Sequence, residues 1–140
     1  MDILLWLHIS AAIFLIGPLT LATLAAPRFI KAGADGLPVV RFLQRTARVY
    51  GSATIVVAVL GLGLVQDGFS FGDFWISSSL TLFLVAFALL LALVAPDLRR
   101  AVSRLEAGEP ATVEAGRVLG VSAAVAVIWL VIVLLMVLKP

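Results

Sequence analysis

The sequence predicts an all-α integral membrane protein, a bundle of four transmembrane helices built from two tandem helical hairpins. The chain has 140 residues, of which 63% are hydrophobic and only 13% are charged, and its mean hydropathy is +1.20. A soluble domain has about 25% charged residues. The charges lie between apolar runs that reach the roughly 20 residues needed to cross a bilayer. We treat 1–140 as a single integral membrane domain, with hairpin one at 1–69 and hairpin two at 70–140.

The first predicted span extends from about Ile3 to Ala26 and contains no Asp, Glu, Lys or Arg. It is too long for the apolar part of a signal peptide and is preceded by an acid rather than by basic residues, so we expect it to be retained. His8 is its only ionisable side chain. Five other residues share the helical face of His8: Ala11, Leu15, Pro18, Ala22 and Ala25. Small residues let membrane helices approach closely, so this face should pack on protein and His8 should point into the bundle.

The segment 27–50 is expected on the cytoplasmic side because it contains five basic residues and one acid. Three residues interrupt it: Gly33, Gly36 and Pro38. A helical pattern resumes at Pro38, and three of its arginines share one face: Arg41, Arg45 and Arg48. This face predicts an interfacial helix that contacts anionic lipid. The second span, over about 50–66, is short and rich in small residues, which favours a closely packed internal helix.

The turn 67–73 has no Lys or Arg and is expected on the outer side. The third span is predicted over about 74–95. Hydroxyl side chains crowd its first two turns, and we expect that one of them can partner His8.

Beyond Pro96, the segment 97–117 alternates four arginines with four acids, which we interpret as a solvated helical surface rather than a metal or substrate site. Its helix should end near Gly108. We expect Pro110 to start the next helix, where a missing backbone donor is harmless, and the fourth span to cover about 118–138.

The distribution of basic residues predicts the topology. Nine of the ten Lys and Arg residues lie in the two inner loops and only Lys139 lies outside. The positive-inside rule therefore predicts a multi-pass protein of the bacterial inner (plasma) membrane with both termini outside the cytoplasm.

An offset of 69 residues aligns the two halves of the chain. Four kinds of residue match in register: Trp6 with Trp75, Ser10 with Ser79, Pro27 with Pro96, and Arg48 with Arg117. We predict tandem hairpins related by a pseudo-twofold axis along the membrane normal. His8 aligns with Ser77, so paired histidines from the two halves cannot hold a cofactor within one chain.

The spans contain one His and scattered hydroxyls but no acid or cation, and the chain has no Cys. Catalysis needs a convergent set of reactive groups, which the sequence does not provide. We therefore predict a non-enzymatic protein, a subunit or accessory factor of a larger membrane assembly. Its partners would be another membrane protein or further copies of itself, together with the bilayer and its anionic lipids, and not nucleic acid. No cofactor is implied by this interpretation.

A second hypothesis is that the protein binds haem or copper through His8, because imidazole is a good ligand for both. Met136 is a weaker candidate for a second ligand, and water, a partner chain or His8 of another copy are alternatives. Otherwise the His8 ring is hydrogen-bonded to a neighbouring Ser, Thr or carbonyl group, or to interfacial water.

Three segments carry a family resemblance: LLWLHISAA at 4–12, FGDFWI at 71–76 and MVLKP at 136–140. Together they resemble a family of small bacterial four-helix membrane proteins described only as a predicted integral membrane domain of unknown function. The early histidine is more distantly similar to that of copper-resistance CopD-type proteins and HemJ-type protoporphyrinogen oxidases. In the HemJ type this histidine is implicated with haem, which would map to His8. Those oxidases also carry an intramembrane lysine, which the spans of this sequence lack.

Overall fold

The computed structural model describes residues 2–66 and 73–138, and its regular elements are helices. Six α-helices follow one another: α1 (Asp2–Ala11), α2 (Gly17–Lys31), α3 (Leu37–Gln66), α4 (Phe74–Leu89), α5 (Ala95–Glu106) and α6 (Thr112–Leu138). π-helical turns connect α1 to α2 (Ala12–Ile16) and α4 to α5 (Leu90–Val94), and a 3-10 turn connects α2 to α3 (Gly33–Gly36).

Four helices in the described part of the chain are long and apolar enough to cross a membrane: Ile3–Lys31, Gly33–Gly63, Phe74–Glu106 and Thr112–Leu138. The predicted all-α fold with four candidate spans is therefore confirmed. The predicted outer turn, apart from Asp73, and the residues 139–140 lie outside the described part.

Prolines occur in these helices without ending them. The first helix continues through Pro27 to Lys31, beyond the end predicted for the first span. Pro18 and Pro96 each lie two residues after a π-helical turn. The wider π turn relieves the clash between a proline ring and the carbonyl group of the preceding turn, so the helix can continue.

Two other boundaries differ from the prediction. The predicted interfacial helix and second span form one continuous helix, α3. The prediction that Pro110 starts the fourth helix was wrong, because α6 begins at Thr112 and its first turn closes with a 3.0 Å hydrogen bond from the Ala115 amide to the Ala111 carbonyl. Pro110 instead precedes the residue that caps the helix.

The helices form a closed ring of contacts in chain order. The first span packs on the second through α2 and α3, the second on the third chiefly through α3 and α5, the third on the fourth through α4 and α6, and α6 returns to α2. The buried face of α6 repeats every three or four residues: Ala115, Val118, Ser122, Val125, Trp129 and Ile132. This spacing is that of a coiled-coil seam, so α6 contributes one face to the core and leaves the other free.

The predicted packing face of the first span is confirmed. His8 and Ala22 are buried, and the other four residues of the face are partly buried. The π turn divides this span: α1 packs on α3, whereas α2 packs on both α3 and α6.

Candidate functional site

His8 is a buried ionisable residue of α1, and its side chain contacts the backbone of α3. The residue is 8% exposed, and its Nδ1 atom lies 2.9 Å from the carbonyl oxygen of Val57. A carbonyl oxygen only accepts hydrogen bonds, so Nδ1 carries the hydrogen and donates it. In the neutral ring, Nε2 then carries the free lone pair.

Gly61, one helical turn beyond Val57, makes room for the imidazole ring. A Cβ atom added at Gly61 would lie 3.0 Å from Cε1 and 3.4 Å from Nδ1 of His8. Gly63 similarly accommodates Leu4, whose Cδ2 atom would lie 3.2 Å from an added Cβ. The small residues of α3 therefore allow α1 to approach closely, as the sequence predicted.

The expectation that a hydroxyl group of the third span partners His8 was wrong. The hydroxyl of Ser77 lies 3.3 Å from the carbonyl of Asp73, and that of Thr81 donates to the carbonyl of Ser77 at 2.8 Å. Hydroxyl groups in helices commonly bond to the preceding turn in this way, and His8 bonds to a carbonyl instead.

Met136 is the weaker candidate for a second ligand of a group bound at His8. It is partly buried against the core on α6, which packs on α2 and α4, whereas His8 lies on α1, which packs on α3. Among the described residues, no group of three or more His, Cys, Asp or Glu side chains is placed to hold a metal ion. Binding of haem or copper by His8, with or without Met136, stays a prediction.

The three arginines predicted at the lipid interface, Arg41, Arg45 and Arg48, are all exposed on α3. Arg41 also makes an ion pair, since its Nη2 lies 3.6 Å from Oε1 of Glu106 and both side chains are about half exposed, at 53% and 50%. Contact with anionic lipid stays a prediction for this face.

The loop 97–117 contains a buried carboxylate that the sequence interpretation missed. The Asp97 side chain is only 4% exposed. It accepts hydrogen bonds from Arg117 at 2.8 Å (Nη2 to Oδ1) and 3.1 Å (Nε to Oδ2), and from Arg100 at 2.9 Å. The bidentate pair joins α5 to α6, so this acid is part of the helix contact and not of a solvated surface.

Glu114, in the first turn of α6, is a second buried acid, with a side chain 3% exposed. Its Oε1 atom lies 2.7 Å from Nε of Arg104. Glu109 also approaches Arg104, at 3.6 Å, but its side chain is 60% exposed. The prediction of a solvated surface was therefore wrong for Asp97 and Glu114.

Three buried polar atoms lack a hydrogen-bond partner among the described residues: Ser79 Oγ, Ser122 Oγ and Trp129 Nε1. Trp129 packs on Phe83 of α4 with ring centroids 5.8 Å apart. These groups lie on α4 and α6, whereas the His8 hydrogen bond joins α1 to α3.

A comparison with family models matches residues 2–140 to a family described as predicted integral membrane protein (DUF2269). Comparisons with curated proteins and with solved structures found no match. The more distant similarity to CopD-type and HemJ-type proteins stays a prediction. The family match covers both candidate hairpins and includes His8, in agreement with the resemblance of the three sequence segments. The chain therefore belongs to the DUF2269 family of predicted integral membrane proteins.

Proposed function

We propose that this protein is a non-enzymatic subunit or accessory factor of a larger membrane assembly and that it binds its partner through the free side of α6. The observation that carries this proposal is an exposed row of small residues at four-residue spacing: Gly116, Gly120 and Ala124. A Cβ atom added at either glycine would meet nothing within 4 Å. We call this row the small-residue face of α6.

The small-residue face lies opposite the helix seam that packs in the core. Its Gly-x-x-x-Gly spacing is the one that lets two membrane helices bring their backbones together. Within the described bundle no helix packs on the small-residue face. This favours packing by a helix from another chain, either a different protein or a second copy.

The state of the buried ionisable groups supports a role in packing. His8 is hydrogen-bonded to Val57, and Asp97 and Glu114 are paired with arginines. Each of these groups holds two helices together, whereas catalysis needs reactive groups that converge on one point.

The test is the size of the protein complex extracted from native membranes with its lipids, compared between Gly120→Leu and Ser52→Leu. Ser52 is an exposed small residue on α3, so the control adds the same side chain elsewhere. We expect the wild type and Ser52→Leu to migrate in a complex larger than one chain and Gly120→Leu to migrate as a monomer. A monomeric wild type, or equal migration of the two variants, would contradict the proposal.

Haem or copper binding through His8 is the second candidate. The hydrogen bond from Nδ1 to the Val57 carbonyl supports it, because metal-ligating histidines commonly donate their other nitrogen to a carbonyl or carboxylate group. A Soret band or bound copper in the purified protein, lost in His8→Ala, would establish this function. A protein with neither would eliminate it.

We further infer that the protein resides in the bacterial plasma membrane with both termini outside and that its hairpins are tandem repeats. Nine of the ten basic residues lie in the two predicted inner loops, which supports the orientation with both termini outside. The in-register matches of Trp6 with Trp75 and of Pro27 with Pro96 support the repeat, although the π turns of the two hairpins are 78 residues apart rather than 69. A reporter fused after Lys139 should be active only outside the cytoplasm, and activity inside would reverse the orientation.

A further inference from the structure

The free side of α5 forms a shallow groove of about 540 Å³. It is lined by three arginines and two neutral residues: Arg99, Arg100, Arg104, Pro96 and Ser103. We call it the α5 groove. These positions follow one side of the helix, away from the buried residues that pack α5 on α3 and α6.

The length of the third span places the groove at the membrane surface. The helix Phe74–Glu106 has 33 residues. At 1.5 Å per residue it is about 50 Å long, whereas the hydrocarbon core is about 30 Å thick. About 20 residues therefore cross the core, and α5 extends beyond it. Pro96 lies near the boundary, and the arginines lie at the level of lipid phosphates.

The charges of the groove leave hydrogen-bond donors available. Arg99 is exposed and makes no ion pair among the described residues. The side chain of Arg100 is 60% exposed. Its partner Asp97 already accepts hydrogen bonds from Nε and Nη2 of Arg117. The donors of Arg99 and most of those of Arg100 therefore face the groove or the solvent.

We propose that the α5 groove binds the phosphate group of an anionic phospholipid, with Arg99 and Arg100 as the main donors and the Ser103 hydroxyl as a third. A planar guanidinium group matches phosphate oxygens in pairs, which favours phosphate over a halide or a simple counterion. This site is separate from the arginine face of α3 and does not depend on the protein partner proposed above.

The surroundings of the groove favour a lipid over a soluble phosphate compound. Leu93, one turn before Pro96, is 44% exposed, and Leu91 is 52% exposed. Apolar surface thus continues from the groove toward the hydrocarbon core, where the acyl chains of a lipid bound by its phosphate would lie.

The test is native mass spectrometry of the full chain, released from membranes that contain equal amounts of phosphatidylglycerol and phosphatidylcholine. Arg99→Gln removes a donor without breaking an ion pair. Arg28→Gln is its matched control, because Arg28 is also exposed, makes no ion pair among the described residues and lies outside the arginine face of α3. We expect the wild type and Arg28→Gln to retain phosphatidylglycerol preferentially and Arg99→Gln to bind it about fivefold more weakly, since one interfacial arginine contributes about 1 kcal/mol.

Three results would overturn the proposal. Equal weakening in Arg99→Gln and Arg28→Gln would show a general attraction to charged lipid. No preference for phosphatidylglycerol in the wild type would show that the groove does not select an anionic lipid. Displacement of the retained lipid by millimolar inorganic phosphate would assign the groove to a soluble phosphate ligand. Neither measurement depends on the size of the protein complex. A negative result here would therefore refute the lipid site without affecting the proposed role of α6.

Discussion

The Nδ1 atom of His8 donates a hydrogen bond to the carbonyl oxygen of Val57 at 2.9 Å, and the same ring lies against Gly61. In this register the ring lies beside a residue without a side chain, so the contact helps to set the depth of α1 against α3. The sole histidine of the chain is thus a helix contact in its own right, whatever else it binds.

Gly61→Ala should destabilise the protein, although alanine is the better helix former. The new Cβ would lie 3.0 Å from His8 Cε1, so the ring must move, and such overpacking costs about 1–3 kcal/mol. Gly17→Ala is the control, since its added Cβ meets nothing within 4 Å and should raise stability by up to about 1 kcal/mol. Unfolding by dodecyl sulfate, followed by circular dichroism, measures both. Equal stability of the two variants would show that the ring moves freely.

His8→Ala should lower the free energy of unfolding by about 1–3 kcal/mol, because it removes a buried hydrogen bond between two membrane helices. Ile9→Ala provides the comparison: Ile9 is 49% exposed on the same helix and should change stability less. The same unfolding assay applies. If both substitutions had the same effect, the hydrogen bond to Val57 would contribute no net stability.

The four candidate spans and the buried face of the first helix could be predicted because both depend on composition and on helical spacing. The hydrogen-bond acceptor of His8 could not be predicted in the same way. Every residue supplies a carbonyl group, and which one meets the ring depends on the register of α1 against α3. The glycine beneath the ring was a visible signal, since Gly61 lies at the depth of His8 in an antiparallel hairpin.

The two buried acids were missed for a different reason. A count of charges does not distinguish buried from exposed positions among the four arginines and four acids of 97–117. Their positions on the helical faces do. Asp97 adjoins the apolar positions Leu98 and Ala101 on the buried side of α5. Glu114 precedes Ala115 at the start of the α6 seam. Extending the helical pattern past the spans would have placed both carboxylates in the helix contact.

Arg117→Gln should destabilise the protein more than Arg41→Gln, although the two arginine side chains are equally exposed, at 52% and 53%. The difference lies in their partners, since the side chain of Asp97 is 4% exposed and that of Glu106 is 50% exposed. Hydrogen bonds to a buried charge contribute about 1.5–3 kcal/mol, and exposed pairs contribute about 0–1 kcal/mol.

The measurement for this pair of arginines is the free energy of unfolding at low and high salt. High salt should reduce the small effect of Arg41→Gln and leave that of Arg117→Gln largely unchanged, because buried pairs are screened less. Similar losses for the two variants, with the same salt dependence, would mean that Arg100 alone satisfies Asp97.

Glu114→Gln should lower stability more than Glu109→Gln, although both glutamates approach Arg104. Glu114 is buried and lies 2.7 Å from Nε, whereas Glu109 is exposed and lies 3.6 Å from Nη1. Glu114 also lies in the first turn of α6, where a negative charge adds about 0.3–1 kcal/mol. We expect a loss of about 2 kcal/mol for Glu114→Gln and less than about 0.5 kcal/mol for Glu109→Gln.

Unfolding monitored by tryptophan fluorescence measures the stability of both variants. Hydrogen exchange of the first turn of α6 should rise only in Glu114→Gln. Equal exchange in the two variants would show that Arg104 does not hold the start of α6.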